Sequence, residues 1–213
     1  MNKFTLSTLV LCLASFNTAF AQFTNAQLAK MEAQYQKEAD VVRMHHFDYY
    51  AQLLEEYKNK KGQYPFQYNR PKGTPFYVFI MTDEQEEKFN TRNALNIRDT
   101  KFFKELETVL GRSIDEKYDP QRVSTGCPTV YMYMVNGDEM YFAVHLNQPN
   151  SFTKINGPNC HKIELSNKDD IKHKFYSYNF LRNNLEYQKL IKTPITSRWF
   201  LKLEESNKRN SLK

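Results

Sequence analysis

Tyr131-Met132-Tyr133-Met134-Val135-Asn136-Gly137-Asp138-Glu139-Met140-Tyr141-Phe142-Ala143-Val144-His145-Leu146 is the stretch whose reading decides the fold. Two β-prone runs, Thr129–Val135 and Glu139–Leu146, flank Asn136-Gly137, a pair that tolerates the positive φ of a tight hairpin turn. Both alternations of each run carry Tyr, Met, Phe or Val. The hairpin is therefore expected near the centre of a sheet, with one face under helices. A slip of one residue would exchange the two faces.

Upstream, Phe76-Tyr77-Val78-Phe79-Ile80-Met81 is apolar on both alternations, as in a strand buried on both sides. Asp83 to Asn96 is charged and irregular. Asp99 or Thr100 can cap a helix that buries Phe102, Phe103, Leu106, Val109 and Leu110 and ends at Gly111. Further upstream, residues 24–61 read as one long helix. Thr24-Asn25-Ala26-Gln27 has the form of a capping box, and Gly62 follows lysines that suit a helix C-terminus. Leu28, Met31, Tyr35, Val42, Tyr49, Leu53 and Tyr57 form its apolar stripe, which covers the sheet or, in part, docks a partner helix. Pro65, Pro71, Gly73 and Pro75 mark a loop.

Downstream, His161–Leu165 reads as a further strand. Tyr178–Ile191 reads as a helix with Leu181, Leu185 and Leu190 inside, closed by Thr193-Pro194. Trp199-Phe200-Leu201 anchors the last segment, and residues 204–213 form a polar tail. Helices, then antiparallel strands, then helices make an α+β pattern. The expected architecture is a long N-terminal helix packed on an antiparallel sheet of three to five strands, with further helices. Residues 22–203 form a single domain.

The end of the first helix, Leu53-Leu54-Glu55-Glu56-Tyr57-Lys58-Asn59-Lys60-Lys61-Gly62-Gln63-Tyr64-Pro65, resembles the helix end of type II secretion pseudopilins, in which a long helix finishes in a Tyr…Gly-x-Tyr-Pro turn before a sheet. The resemblance implies that Gly62 stops the helix and that Tyr64-Pro65 fixes the exit and packs back on the sheet. It is confined to residues 53–65. Lys3 and Thr8 stand where a pilin would carry its cleavage glycine and its glutamate.

Residues 1–21 read as a secretory signal peptide: Lys3, an apolar run centred on Leu6–Ala14, and a cleavage site at Ala19-Phe20-Ala21. Removing 21 of 213 residues leaves 192, enough for one substantial core. No later segment is apolar enough for a membrane span. Cys12 leaves with the leader, so Cys127 and Cys160 are expected to pair in an oxidising compartment. The alternative is a catalytic Cys127 thiolate with His145 or His161 as base. The formal charge of the full chain is +6, spread among acids without a dense basic block, so nucleic acid is a poor partner.

The chain has no Gly-x-Ser-x-Gly elbow, phosphate-cradling loop, dinucleotide fingerprint, His-Glu-x-x-His or Cys-x-x-Cys. Nothing points to a cofactor or a metal. His45 and Asp48 share a helix face at i, i+3 and, with His145, are the weak catalytic candidates. Asp119 and Arg122, in a rigid loop around Pro120, and the hairpin tyrosines Tyr131, Tyr133 and Tyr141 are the binding candidates. The functional expectation is an exported, non-enzymatic protein that binds another envelope protein, of the immunity or secretion-accessory type. The alternative is an envelope hydrolase assembled from scattered His and Asp residues.

Overall fold

The computed structural model describes residues 24–68, 71–82, 85, 96–121 and 127–210. Residues 1–21, read from sequence as a signal peptide, most of Asp83–Asn96 and the binding candidate Arg122 lie outside them. Compactness divides the chain between Tyr35 and Gln36, inside the first helix, α1 (Asn25–Lys61).

In the first unit the capping box is formed. The Gln27 amide donates to Thr24 Oγ1 at 3.2 Å, and Gln27 Oε1 accepts from the Thr24 N–H at 2.8 Å. Leu28 and Met31, which open the apolar stripe, are 49% and 54% exposed.

Among the described residues the second unit holds a sheet of seven strands: β1 (Phe76–Ile80), β2 (Asn96–Arg98), β3 (Tyr131–Asn136), β4 (Glu139–Leu146), β5 (Lys154–Gly157), β6 (Cys160–Ser166) and β7 (Phe175–Tyr176). Their order is β2-β1-β3-β4-β6-β5, with β7 also on β6. Helix α2 (Asp99–Leu110) precedes the hairpin, and α3 (Tyr178–Arg182), α4 (Leu185–Lys192) and α5 (Arg198–Asn210) follow the sheet. The α+β class stands, but two expectations are corrected. The sheet exceeds three to five strands, because β2, β5 and β7 have only three, four and two residues, too few to show an alternation. It is also mixed rather than antiparallel, since β1 pairs β2 and β6 pairs β7 in parallel.

The hairpin closes one residue later than the Asn-Gly pair suggests. Asn136 pairs with Glu139, so the loop is Gly137-Asp138. Gly137 has φ +62° at the first loop position, which suits a type II′ turn. A β-carbon there would also lie 3.3 Å from the Lys72 backbone. Asn136 Oδ1 accepts from the Gly73 N–H at 2.7 Å, tying the turn to the loop before β1.

The resulting register buries Phe76, Val78, Ile80, Tyr131, Tyr133, Val135, Met140, Phe142, Val144, Ile163 and Leu165 on one face. Helices cover that face: Phe47 and Tyr50 of α1 pack on Phe142 at ring distances of 5.8 and 5.3 Å, and Phe102 of α2 packs on Tyr133 at 5.1 Å. At the end of α1, Gly62 takes φ +76° and its N–H reaches the Lys58 carbonyl at 2.7 Å. Tyr64 is buried, its hydroxyl donates to Glu55, and the Pro65 carbonyl accepts from Tyr133 Oη at 2.6 Å.

The helix expected over Tyr178–Ile191 is two helices. Ser177 caps α3 and Asn184 caps α4, each through its side-chain oxygen. The restart at Asn184 puts Leu185 outside, at 74% exposure, and Tyr187 inside. Residues 204–210, read as a polar tail, continue α5.

Cys127 and Cys160 are joined by a disulfide that bridges 33 residues of sequence. By chain entropy such a loop stabilises the fold by about 3–4 kcal/mol. Denaturant titration with and without reductant should show a loss of that size; an unchanged midpoint would remove the bond from the account of stability.

Candidate functional site

Two polar constellations and one sheet face hold most of the side chains with chemistry to offer. The first is interior. Arg43, on the buried side of α1 and 1% exposed, donates through Nε and Nη2 to both oxygens of Asp119, at 2.7 and 2.8 Å. Its Nη1 donates to Asp40 at 2.8 Å and Nη2 also reaches Gln121 Oε1 at 2.6 Å. Asp40 in turn accepts from the backbone N–H groups of Asn147 and Gln148. Burial raises the Asp40 carboxyl above its ordinary pKa, against the pull of Arg43. Asp119 is thus the fork that neutralises a buried guanidinium, not a surface contact.

The second constellation joins α1, α5 and residue 117. His46 Nε2 lies 2.9 Å from Glu204 and its Nδ1 lies 2.8 Å from Tyr131 Oη, while Lys117 Nζ donates to the other Glu204 oxygen at 2.7 Å. Burial alone would raise the Glu204 carboxyl. His46 and Lys117 outweigh it and bring the pKa down to about 2. Tyr131 and Tyr133, both proposed from sequence as contact residues, are fully buried with satisfied hydroxyls. Aromatic residues on both alternations of the hairpin left the choice of face open; the register sends these two to the helical side.

The three weak catalytic candidates do not share one set of partners. His45 Nε2 lies 2.8 Å from the Thr193 carbonyl. Asp48 accepts from the hydroxyls of Tyr187 and Tyr178 and from Gln52. His145 is 7% exposed on β4, opposite Lys162, and its Nδ1 has no partner among the described residues. Among the described residues no group of three His, Cys, Asp or Glu side chains is placed to hold a metal ion. No described helix is long and apolar enough to cross a membrane.

The second face of the sheet is built from the other alternation. Cross-strand pairing aligns Tyr77, Met134, Tyr141 and Ser166 in one row, and Phe79, Met132, Ala143, Glu164 and Phe175 in the next. Tyr77, Phe79, Met132, Met134, Tyr141 and Phe175 are half-buried. The Tyr77 and Phe79 rings stack at 6.1 Å, and Tyr141 meets the edge of Phe175 at 5.3 Å. Towards β5 the face becomes charged: Lys154 and Lys162 both pair with the buried Glu164 carboxylate, and Lys154 Nζ lies 4.0 Å over the Phe175 ring. Of the three hairpin tyrosines, only Tyr141 belongs here.

Sequence reasoning gave no site role to Arg43, His46, Lys117 or Glu204. Arg43 was findable, because it lies at helical spacing between the buried Ala39, Phe47 and Tyr50, and a charge on an apolar stripe needs an interior partner. Glu204 was not, because its partners are 158 and 87 residues away in sequence. No protein-family model, curated protein or solved structure matches the chain.

Two of these groups make stability depend on pH in the same direction. Burial, with Lys162 and Arg43 added and Asp119 and Glu164 opposing, lowers the His145 pKa from 6.5 to about 4. Its contribution is full above pH 6.5 and is lost as pH falls through about 4. The Glu204 contribution is full above pH 4.5 and is lost as pH falls through about 2. Each is worth up to about 3 kcal/mol. Urea titrations across this range should show His145→Gln flattening only the segment between pH 6.5 and 4. An identical slope in the variant would remove His145 as its source.

Proposed function

We propose that this chain is an exported, non-enzymatic protein that binds an acidic protein of the cell envelope through the second face of its sheet. The observation that carries the reading is the pair of half-buried rows around Tyr77, Met132, Met134 and Tyr141. Aromatic and methionine side chains are enriched at protein interfaces, where they give large contact area and adaptable packing. Lys154 and Lys162 border the same face and share the single Glu164 carboxylate, leaving one net positive charge there, and the full chain carries a formal charge of +6, which favours an acidic rim on the partner.

The signal-peptide reading of residues 1–21 supports export, and the disulfide is a bond that an oxidising compartment preserves. Two forms of the function fit this reading. An immunity-type protein would cover a toxin delivered from outside. A secretion-accessory protein would sit in an envelope assembly, a role that the pseudopilin-like helix end at residues 53–65 favours.

The test is affinity capture of the tagged protein after mild crosslinking in its native cells. The wild type should retain one stoichiometric acidic protein, less of it at high salt. The double variant Met134→Ala/Tyr141→Ala should lose roughly ten-fold or more of that capture while keeping its melting transition. Leu185→Ser, at an exposed position of α4, should not. Equal capture by the double variant, or no partner at all, would defeat the proposal.

A further inference from the structure

A second site lies away from the sheet, where α1 meets α3 and α4. A cleft of about 380 Å³ is lined by Asp48 and Gln52 of α1, Tyr178 and Arg182 of α3, and Gln188 and Lys192 of α4. Its charges are not paired with one another. A carboxylate has about four acceptor positions. Three at Asp48 are filled by neutral donors: Tyr187 Oη at 3.1 Å, Tyr178 Oη at 3.3 Å and Gln52 Nε2 at 2.6 Å. Neither Arg182 nor Lys192 has a carboxylate partner among the described residues. The Arg182 guanidinium lies 5.6 Å over the Tyr178 ring, and Lys192 Nζ reaches only Gln188 Oε1, at 3.5 Å.

This arrangement selects a ligand by three conditions. Two cations with unused donors ask for an anionic group. The remaining acceptor position at Asp48, beside two tyrosine hydroxyls, asks for a hydroxyl donor. The Asp48 charge itself disfavours a dianion such as phosphate, while Arg182 and Lys192 disfavour a cation. A monoanion rich in hydroxyls meets all three, and Ile191 adds an apolar wall for the C–H face of a sugar ring.

We infer that the cleft between α1, α3 and α4 binds a carboxylated sugar, with the carboxylate at Arg182 and Lys192 and ring hydroxyls at Asp48 and Gln52. The site is independent of the sheet face proposed for the protein partner.

The test is titration of the uniformly ¹⁵N-labelled protein with D-glucuronate, read by amide chemical shifts. Saturable shifts are expected at the backbone and side-chain amides of Gln52 and Gln188 and around Arg182. D-glucose and inorganic phosphate are the controls, and each should bind about ten-fold more weakly or not at all. Arg182→Ala and Lys192→Ala replace exposed residues, so the fold should survive, and each should weaken glucuronate by about ten-fold. Equal shifts with glucose would refute recognition of the acid, and equal shifts with phosphate would reduce the cleft to a general anion site. No saturable shift with glucuronate would also overturn the inference.

Discussion

Arg43 puts a full positive charge on the side of α1 that packs on the sheet, and much of the second unit is arranged around keeping that charge paired. An isolated ion in such a place is prohibitive, whereas a forked ion pair with its remaining donors satisfied is sustainable. Asp119 supplies the fork, and Asp40 and Gln121 each accept one further guanidinium N–H. The requirement then spreads. Residues 115–121 have no regular secondary structure, yet they must hold Asp119 still, so side chains anchor their backbone. Tyr50 Oη donates to the Lys117 carbonyl and accepts from the Lys117 N–H, and Gln85 Nε2 reaches the carbonyls of Asp119 and Gln121. Loss of one partner from such a network costs about 3–5 kcal/mol, while an apolar replacement of the whole set can be neutral. The network therefore specifies which segment packs on α1 more than it adds net stability.

The tyrosines divide between a helix-covered side of the sheet and the side proposed for contact. On the helical side their rings fill the core while the hydroxyls tie one element to another. Tyr57 reaches Glu105 of α2, Tyr133 reaches the turn after α1, Tyr131 meets His46, and Tyr178 and Tyr187 converge on Asp48. A buried hydroxyl needs such a partner, and each one fixes a spacing that rings alone would leave adjustable. The second face has a different composition: methionines, stacked aromatic rings and a carboxylate held by two lysines. The aromatic richness of the chain thus has two sources, and only one belongs to the proposed contact surface.

The sequence was legible where periodicity was long. Residues 25–61, 76–80, 99–110 and 139–146 carry enough helical or alternating pattern for their type to follow directly. Gly62 and Gly137 mark real stops, since both take positive φ. Legibility failed where elements are short or where two patterns coincide. The strands at Asn96–Arg98, Lys154–Gly157 and Phe175–Tyr176 exist because neighbours pair with them, not through any local preference. Asn184 split one expected helix because a single side chain can cap a new start inside an otherwise helical run. The site was less legible than the fold. Tyr131, Tyr133 and Tyr141 look alike in sequence, and only the register separates the first two from the third. Asp48 was singled out for chemistry with His45 and His145, but its hydrogen-bond partners are Gln52, Tyr178 and Tyr187.

Methionine oxidation separates the two faces of the sheet in one experiment. Met140 and Met44 lie in the covered core, at 0% and 3% exposure, whereas Met132 and Met134 are half-buried on the second face. Mild peroxide treatment of the free protein, followed by peptide mass spectrometry, should oxidise Met132 and Met134 well before Met140 and Met44. In a complex with the proposed partner, the rates at Met132 and Met134 should fall while those of the core pair stay unchanged. Unaltered oxidation of Met132 and Met134 in that complex would contradict the assignment of the second face as the binding surface.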